Sequence, residues 1–267
     1  MGSTSALAIL HPGAMGAAVA ACLVGRGHEV GWLRTGRSAA TAARASKAGL
    51  TPFDDLADLL DHADVVLSIC PPHGALDVAR ELAGFGGIVV DANAISPETA
   101  MLVGDTVSSG GARYVDGGII GPPPVTAGTT RLYLAGDDGE VANLFAGSAL
   151  DAVSLAGATP AASALKMTYA AWTKTTAALL VSIRDTAAAY GVDADLATEW
   201  AKSQPHLEDA WLRAREQSQE KGWRWAHELA EVGRTFAAVG QPEGFGAAAS
   251  EVFAASSNDD LPGVGGH

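Results

Sequence analysis

The sequence predicts an α/β protein whose first half is a Rossmann-like, doubly wound sheet and whose second half is a separate all-helical domain. Three observations carry this. From Ala6 to about Ala135, short apolar and β-branched runs alternate with helical stretches. A glycine-containing turn follows the first of these runs. Beyond Gly157 strand-like runs disappear and helical periodicity is all that remains.

Taken in order, the apolar runs are ALAIL, EVGWL, ADVVLSIC, GIVVDAN, ARYVDGG and RLYLAG, with a helix through Arg26 between the first two. Parallel strands need a crossover between them, so this alternation reads as βαβ units under two helical layers. The last strands, near Tyr114 and Leu132, are expected to pair differently. Thr159 before Pro160 reads as an N-cap with proline in the first helical turn, and no breaker follows until Gly191, which predicts one long helix. DLATEWAKSQ, a segment around LEDAWLRAREQSQ, RWAHELAEVGRTFAAVG and FGAAASEVFAAS continue as helices. The expected organisation is a dinucleotide-binding domain over 1–157, a helical substrate and dimerisation domain over 158–255, and a flexible Gly-rich, acidic tail over 256–267.

The 267 residues are long enough for two domains, and 48% apolar with 18% charged residues is ordinary for a globular protein. A formal charge of −13 argues against nucleic acid or an anionic membrane as partner, since phosphates need a basic surface. A small molecule in a local pocket remains compatible. No run of about 18 apolar residues and no basic signal-like start appear, so the expectation is a soluble, cytoplasmic protein. Cys22 and Cys70 have no metal-ligand spacing and read as buried thiols of a reducing compartment, with no metal site.

After the first strand come His11, Pro12, Gly13, Ala14, Met15 and Gly16, then a helix. Glycines there let a backbone approach a pyrophosphate whose charge rests on helix N-terminal amides. Alone, so degenerate a pattern is equally a tight structural turn; the strand before it and the helix and strand after it favour the cofactor reading. The second strand ends in Arg34, Thr35, Gly36, Arg37 and Ser38, where an acidic residue would ordinarily meet a ribose 2′-hydroxyl. Guanidinium groups hold phosphate by paired charge-assisted hydrogen bonds, so this cluster predicts NADP(H) rather than NAD, unless it is a solvated basic loop.

With these motifs in place, the chain resembles the β-hydroxyacid dehydrogenases, including the coenzyme domain of 6-phosphogluconate dehydrogenase, and the related imine reductases. It is most similar to a branch of uncharacterised proteins with a modified C-terminal domain. The resemblance runs from Leu7 to about Phe253. Cys70, Pro71, Pro72 and His73 are similar to the segment along the nicotinamide ribose. Asp91 to Pro97 resembles an Asp-x-Ser-Thr-x-x-Pro motif, with Asn93 in the first hydroxyl position. Asp116 to Pro122 stands where the family has a Ser-Gly-Gly substrate loop. Ile120, Gly121 and Pro122 would line the substrate there, and the missing serine implies something less anionic than a simple hydroxyacid.

Ser163 to Ala170 resembles the family's G-x-x-x-K-x-x-x-N, which implies Lys166 as catalytic acid/base, with Ala170 in place of asparagine. A solvated lysine is the alternative. Tyr169, Ala170 and Thr173 lie within two turns of Lys166 on the same helix and would line the same pocket, although core packing serves equally for Tyr169 and Trp172. His227, in His227-Glu228-Leu229, replaces a family lysine and is either a substrate contact or an ordinary surface histidine. Trp172, Trp200, Trp211, Trp223 and Trp225 crowd the helical half, which with the resemblance implies a homodimer. The expected function is therefore an NADPH-dependent oxidoreductase acting on a carbonyl or alcohol. An imine reductase and a non-catalytic NADPH-binding regulatory protein are the alternatives.

Overall fold

The computed structural model describes residues 5–137 and 139–256. Apart from Ser256, which closes the last helix, the expected flexible tail lies outside the described residues. The chain forms two compact units, Met1–Lys166 and Met167–His267.

The first unit is built on an eight-stranded sheet. Its elements run β1 (Ala6–Ile9), α1 (Ala14–Gly25), β2 (Glu29–Leu33), α2 (Ala39–Lys47), β3 (Thr51–Phe53), α3 (Leu56–His62) and β4 (Val65–Ser68). They continue as α4 (Ala75–Glu81), β5 (Ile88–Asp91), α5 (Pro97–Ser109), β6 (Arg113–Ile120), β7 (Thr130–Ala135), α6 (Glu140–Leu144) and β8 (Leu150–Ser154). The strand order is β3-β2-β1-β4-β5-β6-β7-β8, and every pair is parallel except β6 with β7. The doubly wound sheet and the change of pairing at the last strands are as the sequence predicts.

Two strands escaped the sequence reading for a shared reason. β3 and β8 are the sheet's edges, where the alternation of apolar residues weakens. β3 carries Pro52, tolerable at an edge because a proline there breaks no second ladder, and β8 is largely exposed. Central strands read as continuous apolar runs because both faces are covered. Leu67, Val90 and Val115 join one core with Leu23 and Phe145, while Val66 and Val89 join another with Leu82 and Val103.

The long helix predicted from Thr159 onward is present as α7 (Ala161–Ala170), a π turn (Ala171–Thr175) and α8 (Thr176–Ala189). Its first amides are capped by Asp116 of β6 rather than by Thr159, so the division into units falls within the helix, later than the composition change at Gly157. The second unit continues with α9 (Asp193–Ser203), α10 (Leu207–Ala238) and α11 (Gly244–Ser256). The two helices expected around LEDAWLRAREQSQ and RWAHELAEVG are one helix of 32 residues. Gly222, the apparent interruption, is buried against Phe253 of α11, and that packing offsets the roughly 1 kcal/mol a mid-helix glycine costs. A Cβ on Gly246 would lie 2.6 Å from the Leu229 carbonyl oxygen, so α11 crosses α10 at a distance only glycine permits. Arg184 ties the rest together: it donates to Asp193 (2.5 and 3.0 Å) and Glu208 (2.6 Å) and lies 4.0 Å from the Trp211 ring centre.

Candidate cofactor and active site

The strand order reverses between β1 and β4, so the loops leaving their C-terminal ends flank the crevice where doubly wound sheets bind ligands. In the β1–α1 turn the Gly13 amide donates to the His11 carbonyl at 2.8 Å, and Gly13 caps α1 with extended backbone. Gly16 and Gly13 serve different ends. A Cβ on Gly16 would collide with the His11 carbonyl oxygen, so only glycine lets α1 start directly on the turn. Around Gly13 no protein atom lies within 4 Å of such a Cβ, which leaves the helix end open to a ligand.

Pro12 is buried, Met15 is half-buried and Ala14 is exposed at the first helical position. His11 is half-buried, and its Nδ1 is sealed from solvent without a hydrogen-bond partner. Burial, helped by the Arg37 charge, lowers its pKa to about 4, so the ring is neutral at physiological pH. The Nε of Arg37 is likewise sealed and unpartnered. Each such group costs about 1–3 kcal/mol, and two of them beside an open helix N-terminus fit a phosphate group.

The basic cluster after β2 is divided in the structure. Arg34 donates from Nε and Nη2 to both carboxylate oxygens of Asp54 (2.9 and 2.7 Å), and the Thr35 hydroxyl donates to the Asp54 carbonyl at 2.6 Å. Ser38 caps α2 by accepting the Thr41 amide. Arg37 has no such tether. Arg44 of α2 was overlooked in the sequence, although one helical turn separates it from Thr41. It reaches the Pro12 carbonyl at 3.4 Å and the Thr41 hydroxyl at 3.1 Å, beside the turn. Asp54 was missed because β3, which places it, was missed.

At the end of β4, the Cys70 amide donates to Asn93 Oδ1 at 2.5 Å, and Asn93 Nδ2 donates to the Ser68 hydroxyl at 3.0 Å. Asn93, expected among the cofactor-binding residues, is only 2% exposed and acts as a strut that holds the Cys70 loop. Pro71 is exposed, and Pro72 opens a single 3-10 turn. Burial and the nearby Asp91 charge push the Cys70 thiol up to about 12, against the opposing pull of Ser68, Arg37 and Asn93. It is a neutral thiol at physiological pH.

Three further side chains were not foreseen in these roles. Asp91 and Asp116 lie side by side in register on β5 and β6. Asp91 accepts the Asn93 amide on Oδ1, but its Oδ2 is buried without a partner, and burial raises its pKa to about 7. The Tyr114 hydroxyl is also buried and unpartnered, and burial with both carboxylates nearby raises its pKa.

The segment expected as a substrate loop is mostly strand. Asp116 to Ile120 form the C-terminal part of β6, and Ile120 is buried. The chain turns only at Gly121, with φ +126°, and at Pro122, whose carbonyl accepts the Thr130 hydroxyl. The continuous ladder with β7 accounts for this difference. Lys166 lies on the first turns of α7, with its Cβ 3.1 Å from where a Gly118 Cβ would stand. Because Asp116 pairs with the last residue of β5, Gly118 lies beyond the end of that strand, on the side from which the cofactor loops leave.

In the helical unit, Tyr169 and Thr173 are exposed, and the Thr173 hydroxyl donates to the Tyr169 carbonyl at 3.2 Å. Ala170, expected to line the substrate pocket, is 1% exposed and packs in the core. Trp172 is 72% exposed, contrary to core packing. His227 is exposed on α10, whereas its neighbour Glu228 forms a largely buried ion pair with Lys174, whose Nζ is 5.8 Å from the Trp225 ring centre.

Residues 7–155 match the NAD binding domain of 6-phosphogluconate dehydrogenase. The chain belongs to that family. Residues 187–256 match a domain of unknown function, DUF1932. An uncharacterized 28.5 kDa protein of Methanothermus fervidus, from a 7S RNA 5′ region, is 29% identical over 149 residues, 55% of this chain. The match spans 57% of that relative's length. A conserved protein of unknown function, described as structurally similar to 3-hydroxyacid dehydrogenases, superposes with a TM-score of 0.71 at 26% identity, covering 96% of this chain and 98% of its own. Mycobacterium tuberculosis 3-hydroxyisobutyrate dehydrogenase, solved with L-serine, shares the fold with a TM-score of 0.71 at 22% identity, covering 96% and 95%. Among the described residues no helix is long and apolar enough to cross a membrane.

Proposed function

We propose that the protein is an NADPH-dependent oxidoreductase acting on a carbonyl, or the corresponding alcohol, of a weakly anionic small molecule, with Lys166 as proton donor and acceptor. The observation that carries this is the position of Lys166 against Gly118, beyond the end of β5, on the side of the sheet where the cofactor loops leave. When bound, the nicotinamide supplies or takes up the hydride. The chain's own residues do the rest. The first amides of α1 and the unpartnered His11 would take the pyrophosphate, while Arg37 and Arg44 favour a 2′-phosphate because Arg34 is already neutralised by Asp54. Lys166 would move the proton at the substrate oxygen.

Ile120 and Pro122, in place of hydroxyl and glycine, support a substrate without a small carboxylate head. The same replacement favours imine reduction as a second reading, against which the retained Lys166 weighs. A homodimer is part of the proposal. Leu165, Tyr169 and Trp172 are exposed, and their i, i+4, i+7 spacing makes an apolar stripe of the kind that pairs with a second copy.

The deciding experiment is fluorescence titration with NADPH and NADH, followed by turnover on ketones and on cyclic imines with Lys166→Ala as control. Preferential NADPH binding with ketone turnover lost in the variant is expected. Preferred imine turnover establishes the second reading, and binding without any turnover identifies a non-catalytic nucleotide-binding protein.

A further inference from the structure

We infer that Asp116, Ser163 and Gly118 form a clamp that positions Lys166, making the first two positioning residues of the proposed active site; this rests on the role given to Lys166 above. The Asp116 carboxylate is fully buried and accepts three hydrogen bonds from the start of α7: the Ala162 amide at 2.8 Å, the Ser163 amide at 3.0 Å and the Ser163 hydroxyl at 2.5 Å. The amides of a helix's first turn have no partner within the helix, so a carboxylate there fixes both the position and the rotation of that turn. Ser163, itself buried, adds a side-chain bond that holds the rotation.

Two residues further along β6, Gly118 points to the same face of the sheet as Asp116, since strand side chains alternate. A Cβ there would stand 2.7 Å from the Ala162 carbonyl oxygen and 3.1 Å from Lys166 Cβ, so α7 rests on bare backbone. Lys166 is three residues after Ser163 and therefore lies nearly one turn above the clamp on a neighbouring face. The strand thus supplies a grip at Asp116 and a seat at Gly118. Neither residue touches reacting atoms; both act through the lysine.

Competitive acetylation of the intact protein with trace acetic anhydride, read by mass spectrometry at each lysine from pH 6 to 11, tests this without a known substrate. In Gly118→Ala and in Ser163→Ala, the Lys166 labelling rate relative to Lys47 and Lys202 is expected to change at least about threefold, because small displacements alter the surroundings of an amine strongly. Ser163→Thr, which keeps the hydroxyl, is expected to restore the wild-type rate. Gly118→Ala demands backbone movement, so if it does not fold, Ser163→Ala decides. An unchanged Lys166 rate in the folded variants overturns the clamp. A changed rate accompanied by undiminished turnover in Lys166→Ala leaves the clamp standing and removes the catalytic role of the lysine, so the two failures are distinguishable.

Discussion

The Asp116 carboxylate and the Ser163 hydroxyl, 2.5 Å apart, join a central strand to the beginning of a helix 47 residues later. Removing the acceptor strands two amides and a hydroxyl in the protein interior. Asp116→Ala is expected to lower stability by about 3–5 kcal/mol, while Asp116→Asn, which keeps one acceptor oxygen, loses less. Urea unfolding followed by circular dichroism measures both, and equal losses would show that the carboxylate does not act as a cap.

Arg34 and Arg37 are expected to behave differently despite standing three residues apart. Arg34 is more than half exposed and already paired with Asp54, so Arg34→Ala should change NADPH affinity little and stability by no more than about 1 kcal/mol. Arg37→Ala should weaken NADPH about tenfold or more and NADH much less, because only one carries a 2′-phosphate. The reverse ranking in a fluorescence titration would move the phosphate contact to Arg34.

Asp91 and His11 give the stability opposite dependences on pH. Asp91 holds its proton to about pH 7 when folded but to about 3.8 when unfolded, so its contribution is full at low pH and lost as pH rises through 7. His11 takes up a proton only near pH 4 when folded but near 6.5 when unfolded, so its contribution is present above 6.5 and lost as pH falls towards 4. Between those limits the two slopes oppose each other. Asp91→Asn should therefore leave a stability that rises more steeply with pH than the wild type, and His11→Gln one that falls, by on the order of 1 kcal/mol per pH unit in each case. Unfolding curves at pH 4.5, 5.5 and 6.5 measure this; three parallel profiles would contradict it.

Gly246→Ala forces a methyl group into the Leu229 carbonyl and the Gly233 backbone, so α10 and α11 must part. A loss of about 1–3 kcal/mol is expected, confined to the helical unit and visible as Trp225 fluorescence, since that ring packs edge-on to Phe253 at 5.1 Å. An unchanged melting profile would mean that the crossing tolerates extra bulk.

The interior of the fold was legible because buried parallel strands are unbroken apolar runs, and Val65 to Leu67 or Ile88 to Val90 carry no other reading. Edge strands were not: Thr51 to Phe53 pairs on one side only and includes a proline, so its placement depends on β2 rather than on its own residues. The turn at His11 to Gly16 was legible in outline, and the structure separates its glycines into one required by packing and one left open. Asn93 and Ala170 were assigned by position within a motif, which does not record that both are buried. Asp116 escaped as a cap because its helix is distant in sequence, whereas Ser38 and Ser96 cap helices that follow them directly.

The five-residue π turn after Ala170 holds one residue more than an α-helical path of the same height would accommodate. Each residue of an α-helix turns the chain by about 100°, so the directions of every side chain from Thr176 onward are set by that surplus residue. Winding this turn as regular α-helix with all its residues kept would swing the exposed Leu179 by about a quarter of a revolution relative to Tyr169. The turn is thus an indexing step.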